Sequence, residues 1–294
     1  MINYLRHKDL DLKKWDNCID NAINGLPYAY SWYLNIAAEE QWDALVLDDY
    51  EAVFPLPFKN RLVFKQIYQP FFVQQLGLFF TKQDHEMQLH YFINAMPSSF
   101  RKVNLHLNIN NAMSESFLKV KHKLTHHIDL ADNYKIISED YNANTRRNLK
   151  KARSFKLRVS NAITPSELIE LRKKYLGQEL KGIQNQEDQA RLQRLMEKAM
   201  SINKGFITGI YDENENVLAQ TFFLNSNRHI IYLSPVSTYE GKEKQAMTLL
   251  IDHILKEYAG SSMIFDFEGS MLAGVARFYK GFGAVEVNFP VIVK

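Results

Sequence analysis

The sequence predicts a mixed α/β protein, of the α+β kind, with two tandem domains that each fold a mostly antiparallel sheet flanked by helices. Its 294 residues suit two domains, and its hydrophobic fraction of 46% can fill two cores. The second half carries patterns in the order β-α-α-β-β-β-α-β-α-β, and the first half carries a degenerate version of that order. We therefore predict domains at 1–135 and 136–294, although the last strand could pack on the first domain.

The elements of the first half follow from short alternating and helical patterns of apolar residues. Strands are predicted at 44–47, 52–58, 62–68, 102–107 and 124–130, and helices at 15–23, 31–39 and 89–96. An apolar and aromatic segment between them is interrupted by Gln74 and Gln75, whose amides need partners if they are buried. We expect these two side chains to face a cleft and to contact substrate.

The second half is more regular. Strands are predicted at 155–159, 206–211, 217–224, 230–234, 263–267 and 285–293, and helices at 165–180, 189–202, 247–258 and 272–279. The clearest pattern runs from Met247 to Tyr258, where apolar residues recur at i, i+3, i+4, i+7, i+8 and i+11, as in a helix with one buried face. Gly281 and Gly283 then end the last helix.

A basic segment opens the second half. Between Tyr141 and Ser160 there are seven lysines or arginines and no acidic residue, whereas the whole chain has a net charge of only +3. Any attraction for a polyanion must therefore come from this local patch. We predict that Arg146, Arg147 and Lys150 contact the phosphates of a nucleotide, a lipid pyrophosphate or tRNA, because arginine forks suit phosphate oxygens. The alternative is a solvated helix face.

The sequence also argues against several classes of protein. The N-terminus has no long apolar run and no window approaches a membrane span, so we expect a cytoplasmic protein without one. Cys18 is the only cysteine, which rules out an internal disulfide. The nine histidines have no metal-binding spacing, so we expect no metal. The adjacent His126 and His127 should point to opposite faces of a strand.

The strand, turn and helix near the C-terminus carry the candidate catalytic residues. Alternation puts Asp266 on one face of the sheet and Phe265 and Phe267 on the other. Asp266, Glu268 at the end of the strand and Tyr279 on the helix would together form a proton-handling site. The simpler alternatives are a carboxylate that caps a turn and a core tyrosine with a satisfied hydroxyl.

Two resemblances to known families rest on this stretch. The run Ala-Arg-Phe-Tyr-Lys-Gly-Phe-Gly, from Ala276 to Gly283, resembles the fourth-helix segment of GNAT acyltransferases. The block Asp-Phe-Glu-Gly-Ser from Asp266, followed by Phe278 and Phe282, resembles the second domain of Fem-type aminoacyltransferases, which carry the GNAT fold in two tandem copies. The basic segment is similar to the helix that opens their second domain.

The resemblance implies an N-acyltransferase that moves an acyl or aminoacyl group from a thioester or a tRNA ester onto an amine. The acceptor would be a small-molecule amine or one like a peptidoglycan precursor, and tRNA would be the partner that delivers an aminoacyl group. Alignment of the amine with the ester would supply much of the acceleration. The alternative is a non-catalytic ligand-binding module that retains the tandem fold.

By the same resemblance, a coenzyme A thioester would lie where two parallel strands separate, here between 230–235 and 264–266. The candidate cofactor residues follow the first strand and fill the turn before the regular helix: Leu233, Ser234, Val236, Gly241, Lys242 and Lys244. That turn holds one glycine beside Glu240 and Glu243, in place of the family's glycine-rich loop. Tyr279 stands where GNAT acetyltransferases have a general acid and where Fem-type enzymes tend to have lysine. The donor therefore stays open between an acyl-CoA and an aminoacyl-tRNA.

Overall fold

The computed structural model describes residues 1–62, 64–111, 119–176, 185–226, 228–269 and 273–294, and for 85–87 and Lys119 it describes the backbone alone. Parts of four sequence predictions lie outside the described residues. They are Val63 in the strand predicted at 62–68, the end of the helix predicted at 165–180, Ser270 in the Fem-like block, and Leu272 at the start of the helix predicted at 272–279.

The chain forms two compact units. One consists of Met1–Leu124 with Val287–Lys294, and the other is Thr125–Glu286. The sequence placed its boundary between 135 and 136. In the structure the chain passes from the first unit to the second within a strand, and it returns to the first unit for most of its last strand.

The first unit is built on a mixed sheet with three α-helices and three short 3₁₀ helices in its described part. Its strands are β1 (Ile2–Leu5), β2 (Trp42–Leu47), β3 (Ala52–Arg61), β4 (Phe64–Ile67), β5 (Phe79–Phe80) and β6 (Phe100–His106), its helices are α1 (Leu12–Asn21), α2 (Ser31–Ala37) and α3 (Leu89–Asn94), and the 3₁₀ helices are His7–Asp9, Pro27–Ala29 and Gln83–Gln88. The strands pair in the order β1-β2-β3-β4-β6, and β5 pairs with β3. The β4–β6 pair is parallel, and the others are antiparallel.

The second unit holds the candidate site. Its strands, of which β7 and β14 extend into the first unit, are β7 (Lys119–Asp129), β8 (Arg158–Ser160), β9 (Gly205–Tyr211), β10 (Val217–Asn225), β11 (His229–Tyr232), β12 (Val236–Ser237), β13 (Ile264–Asp266) and β14 (Val285–Val293). Its helices are α4 (Tyr134–Glu139), α5 (Ala143–Arg153), α6 (Pro165–Leu176), α7 (Gln186–Ser201), α8 (Tyr239–Glu243), α9 (Ala246–Tyr258) and α10 (Ala273–Lys280). The sheet order is β7-β13-β11-β10-β9-β8, with β12 on β10. Only β11 and β13, of the described pairs in this unit, run parallel. The end of β14 pairs with β6 of the first unit's sheet. These mixed, mostly antiparallel sheets confirm the predicted fold class.

One face of the second sheet is covered by α9. Leu250 and Ile254 of this helix share a buried apolar cluster with Phe223 and Phe265 of the sheet. Burying side chains of this size stabilises the unit by roughly 2 kcal/mol each. Helix α5 lies against α9 and adds Leu149 to the same cluster, which leaves the basic side chains of α5 facing outward.

Two short helices were not predicted from the sequence. Helix α4 begins after Asn133, whose side chain accepts hydrogen bonds from the backbone of Lys135 and Ile136. Helix α8 begins after Thr238, whose hydroxyl accepts one from the backbone of Gly241. Helices of five or six residues are too short to carry an apolar repeat, so only their caps signal them.

Candidate active site

The predicted separation of two parallel strands is present in the second unit. The last residues of β11 and β13 in register are Ile231 and Asp266. Beyond them, the Leu233 N–H donates to a carbonyl of β10 at 3.1 Å, whereas the Phe267 N–H donates to a carbonyl of β7 at 2.9 Å. Each segment therefore continues beside its outer neighbour where the β11–β13 pairing ends, which leaves room for an extended ligand to pair with a strand edge.

Asp266 lies at this separation and is only 1% exposed. Its carboxylate accepts hydrogen bonds from the Thr125 hydroxyl at 2.5 Å and from the backbone N–H of Glu268 at 2.8 Å. The His127 Nε2 lies 3.3 Å from the second carboxylate oxygen, close enough for an ion pair, although the ring is not aligned for a hydrogen bond. Burial opposes ionisation, but the contacts with His127 and Thr125 outweigh it and hold the pKa of Asp266 below its usual value.

Three histidines surround the separated strands. His127 faces Asp266 and lies 6.5 Å, ring to ring, from His229 of β11. His126 points to the other face, as alternation predicted, and its ring meets Tyr279 edge-on at 5.6 Å. Neither nitrogen of His126 has a hydrogen-bond partner among the described residues, and the Glu286 carboxylate lies 3.8 Å away. Burial lowers the pKa of His126, so its ring favours the neutral form.

Tyr279 packs on the face opposite Asp266. Its ring stacks on Phe267 at 4.5 Å, and the side chain is 7% exposed within the apolar cluster. Burial, followed by the charges of Glu268 and Asp266, raises the pKa of Tyr279. Its hydroxyl therefore stays protonated at neutral pH and can act as an acid.

Glu268 lies near both Asp266 and Tyr279. It follows β13 with a φ of 58°, an unusual left-handed conformation that the hydrogen bond from its N–H to Asp266 holds in place. Asp266 is thus a turn cap as well as an ionised group beside His127. Because Asp266 is buried and Glu268 only partly so, Glu268 is the carboxylate that a substrate can reach. The catalytic roles of Asp266, Glu268 and Tyr279 remain predictions.

The predicted cofactor residues after β11 are buried. Leu233 uses its backbone N–H to bond β10, and Val236 pairs with Gln220 of the same strand. The hydroxyl of Ser234 is buried and has no hydrogen-bond partner in the part of the chain that the structure describes. Of these three residues, only Ser234 offers a polar group without a visible structural use, and their cofactor role stays a prediction.

Gly241 packs against the neighbouring strand. A Cβ added there would lie 1.9 Å from the carbonyl oxygen of Leu218, so no larger residue fits without a backbone shift. The Gly241 N–H donates to the Thr238 hydroxyl at 2.9 Å. The glycine is therefore required by the approach of α8 to β10, and its amide is already bonded.

The two lysines of this segment also have local contacts. Lys244 pairs with Glu240 at 2.6 Å, one helical turn earlier. The Lys242 ammonium lies 6.0 Å from the centre of the Tyr239 ring. A short helix thus replaces the open turn that the sequence suggested. The arrangement offers no cluster of free amides comparable to a glycine-rich phosphate loop.

The two predicted glutamines lie in the first unit. Gln75 is 2% exposed, and its amide oxygen accepts from the Ile109 N–H at 3.0 Å while its nitrogen donates to Gln74 at 2.8 Å. The backbone oxygen of Gln74 accepts from His106 at 3.0 Å. Gln75 therefore finds its partners within the protein, and this network fixes a loop.

Two of the three predicted phosphate-binding residues, Arg146 and Lys150, lie in one cleft, and Arg147 does not. An open cleft of about 770 Å³ lies between α4, α5 and α9, and we call it the basic cleft. Its polar lining includes Tyr134, Tyr141, Arg146, Lys150, Arg153 and Lys256. Arg147 does not line it and instead contacts the side chain of Asn144.

The sequence prediction included Arg153 in the basic segment without naming it as a contact residue, and it missed Lys256. A signal existed for the first, because Arg146, Lys150 and Arg153 follow one another at i, i+4 and i+7 on one helical face. Lys256 belongs to α9, and no sequence pattern connects it with α5.

The described residues contain no group of three His, Cys, Asp or Glu side chains that could hold a metal ion. None of their helices is both long enough and apolar enough to cross a membrane.

Comparison with known proteins identifies the fold. No protein-family model matches the sequence, and neither does any curated protein sequence. The crystal structure of FemX matches with a TM-score of 0.71 and 12% identity over 99% of this chain and 97% of FemX. This chain has a Fem-like GNAT fold. L-PGS from Bacillus licheniformis matches with a TM-score of 0.56 and 12% identity over 97% of this chain and 92% of that one. A conserved protein from Bacteroides thetaiotaomicron matches with a TM-score of 0.62 and 10% identity over the full length of both.

The Fem-like fold contains two histidines, the buried His229 and the partly buried His106, whose titration should make stability depend on pH. Burial lowers the pKa of His229 to about 4, and burial followed by the charge of Lys123 does the same for His106. An unfolded histidine titrates near pH 6.5. As the pH falls below about 6.5, the unfolded chain therefore binds protons that the folded chain does not bind until about pH 4. The contribution of each neutral histidine to the unfolding free energy is therefore present above this window and is lost within it.

We expect each of these histidines to cost roughly 2 kcal/mol of unfolding free energy between pH 7 and pH 5. Urea unfolding at both pH values measures the loss. His229→Gln should reduce the pH-dependent part of the loss even if it lowers stability at both values. An identical pH dependence in this variant would show that His229 does not titrate as its burial requires.

Proposed function

We propose that this chain transfers an acyl or aminoacyl group from an activated ester to an amine. The observation that supports this most strongly is the separation of β11 and β13 within a Fem-like fold, with a protonated Tyr279 and the Glu268 carboxylate at its end. An acyl carbonyl bound between the strands would meet free main-chain N–H groups, which stabilise a developing oxyanion. The acceptor would be a small-molecule amine or an amine like that of a peptidoglycan precursor.

The proposed chemistry needs an acid and a base. The amine nitrogen attacks the acyl carbon and gives its proton to Glu268, directly or through water, while the ester C–O bond breaks and Tyr279 protonates the leaving oxygen. Asp266 holds the Glu268 turn through the 2.8 Å hydrogen bond. The environment of Asp266 keeps its carboxylate ionised, so that it can accept the Glu268 N–H, and burial keeps Tyr279 protonated, as its role of acid requires.

Among the two donors, the geometry favours an aminoacyl ester of tRNA over a coenzyme A thioester. A pyrophosphate needs free amides near the start of α9, but α8 occupies the preceding segment and brings Glu240 and Glu243 with it. The seven basic residues between 146 and 158 offer an alternative surface for RNA phosphates. A non-catalytic ligand-binding module is the rival proposal.

Calorimetric titration with acetyl-CoA and with aminoacyl-tRNA, each at two salt concentrations, tests the choice of donor. We expect acetyl-CoA to bind with a dissociation constant of about 0.1 mM or weaker. Aminoacyl-tRNA should bind more tightly and lose affinity steeply as salt rises, because bound phosphates release counterions. Micromolar binding of acetyl-CoA would reverse the choice. If neither donor binds or transfers its group to an amine, the non-catalytic alternative is favoured.

A further inference from the structure

Most cations of the basic cleft are not neutralised by carboxylates of the described residues. Arg146 donates to the backbone oxygen of Glu139 at 3.2 Å, and the Lys256 ammonium lies 5.7 Å from the centre of the Tyr134 ring. Within the described part of the chain, neither of these cations nor Lys150 pairs with a carboxylate. Cations left unpaired around one concave surface attract an anion and repel one another until it binds.

The fourth cation of the cleft is held in position. Arg153 donates to the buried Asp252 at 2.8 Å, and the Tyr134 hydroxyl donates to the same carboxylate at 2.6 Å. The Arg153 side chain is still 56% exposed, so the rest of its guanidinium can reach a ligand. A guanidinium fixed at one end loses less entropy when it binds, which favours phosphate recognition.

The cleft also contains a buried polar group at its wall. The Tyr141 hydroxyl makes no well-aligned hydrogen bond with other described residues, and the Asp252 carboxylate beside it already accepts from Tyr134 and Arg153. Burial, with a smaller contribution from Asp252, raises the pKa of Tyr141, so the hydroxyl remains a donor. An unsatisfied buried donor is costly, and an anionic oxygen at the wall of the cleft would satisfy it.

We propose that the basic cleft binds a small phosphorylated molecule, with a phosphate monoester or diphosphate held by Arg146, Lys150, Arg153 and Lys256. The volume of about 770 Å³ is in the range of sites for nucleotide-sized ligands. None of its lining residues belongs to β11, β13 or α10, so the ligand would bind away from the separated strands. Three of its cations also belong to the surface proposed above for RNA phosphates, so a small phosphorylated ligand and tRNA would compete for them.

The helix α5 offers matched pairs that distinguish a built site from a general basic surface. Arg146 and Lys150 line the cleft, whereas the neighbouring Arg147 and Lys151 are also exposed but do not line it. Each substitution to glutamine removes one charge from the same helix. All four side chains are exposed, so the variants should fold, and circular dichroism melting checks that they do.

The experiment is calorimetric titration of the whole chain with inorganic pyrophosphate, with adenosine diphosphate, and with a short RNA that lacks terminal phosphates. Lys150→Gln and Arg146→Gln should each weaken pyrophosphate binding about tenfold, the loss of one charge-assisted hydrogen bond, whereas Lys151→Gln and Arg147→Gln should change it less than about twofold. If adenosine diphosphate binds more tightly than pyrophosphate, the cleft also contacts a nucleoside. If the two affinities are equal, the cleft recognises the phosphates alone.

Two outcomes would overturn the proposal. One is equal weakening by all four substitutions, which would indicate a diffuse basic surface. The other is failure of pyrophosphate and adenosine diphosphate to bind up to millimolar concentration, whether or not the RNA binds. RNA binding alone would assign the α5 cations to the tRNA donor proposed above, so this proposal can fail while the proposed function stands.

Discussion

Replacing Glu268 by glutamine should lower the rate of acyl transfer by about 10²- to 10⁴-fold, the range typical of a lost general base. Glutamine has nearly the same shape and keeps the backbone N–H that bonds Asp266, so the turn after β13 should persist. What it loses is the ability to accept a proton from the amine. The loss should appear in kcat more than in KM, because a proton acceptor acts mainly in the transition state.

A matched control is available in Glu197. It lies in the same unit on α7, is exposed, and accepts a hydrogen bond from Gln193 at 2.9 Å. Glu197→Gln should leave the rate within about threefold of the parent, since exposed polar contacts contribute little. Glu268→Asp, which keeps a carboxylate, should retain more activity than Glu268→Gln. Equal rates for the parent and Glu268→Gln would remove Glu268 from the mechanism.

Replacing Gly241 by alanine should destabilise the second unit by about 3 kcal/mol, because the new Cβ would collide with the Leu218 carbonyl at 1.9 Å. The Leu218 carbonyl is a main-chain group, so it cannot rotate away as a flexible side chain could. Alanine's better helix propensity returns only about 1 kcal/mol. Calorimetric melting should show a decrease of roughly 6 to 12 °C for a unit of this size.

Gly274 supplies the control for this prediction. It lies in α10, and a Cβ added there would have nothing within 4 Å. Gly274→Ala should therefore be neutral or should stabilise the protein by up to about 1 kcal/mol. If Gly241 served a bound phosphate and not the contact with Leu218, Gly241→Ala would weaken coenzyme A binding without lowering the melting temperature.

Much of the fold follows from local patterns in the sequence. The helix predicted at 247–258 is α9, Ala246–Tyr258, because an apolar stripe of period 3.6 can bury itself in only one way. The opposite orientations of His126 and His127, and of Asp266 and Phe267, follow from the two-residue period of a strand. These features depend on neighbours in the chain, which the sequence displays directly.

The glycine at 241 illustrates what a motif cannot decide. A lone glycine in a polar turn is compatible with a phosphate cradle and with a close approach of backbone to backbone. The contact with Leu218 accounts for the glycine without a ligand, and that contact depends on where α8 meets β10. In the same way, the amide of Gln75 suits a substrate contact or an internal network, and Ile109 supplies an internal partner while the substrate role stays a prediction.

The sequence by itself determined the mixed α/β class, the main helices and strands and the basic character of α5, whereas the separated parallel pair was expected only from the family resemblance. Only the tertiary structure decided that Asp266 meets Thr125, 141 residues away, and that Arg153 meets Asp252, 99 residues away. The reason is physical. Periodicity governs which face of an element is buried, whereas partners across a sheet or between helices are chosen by packing of the whole unit, which no local pattern encodes.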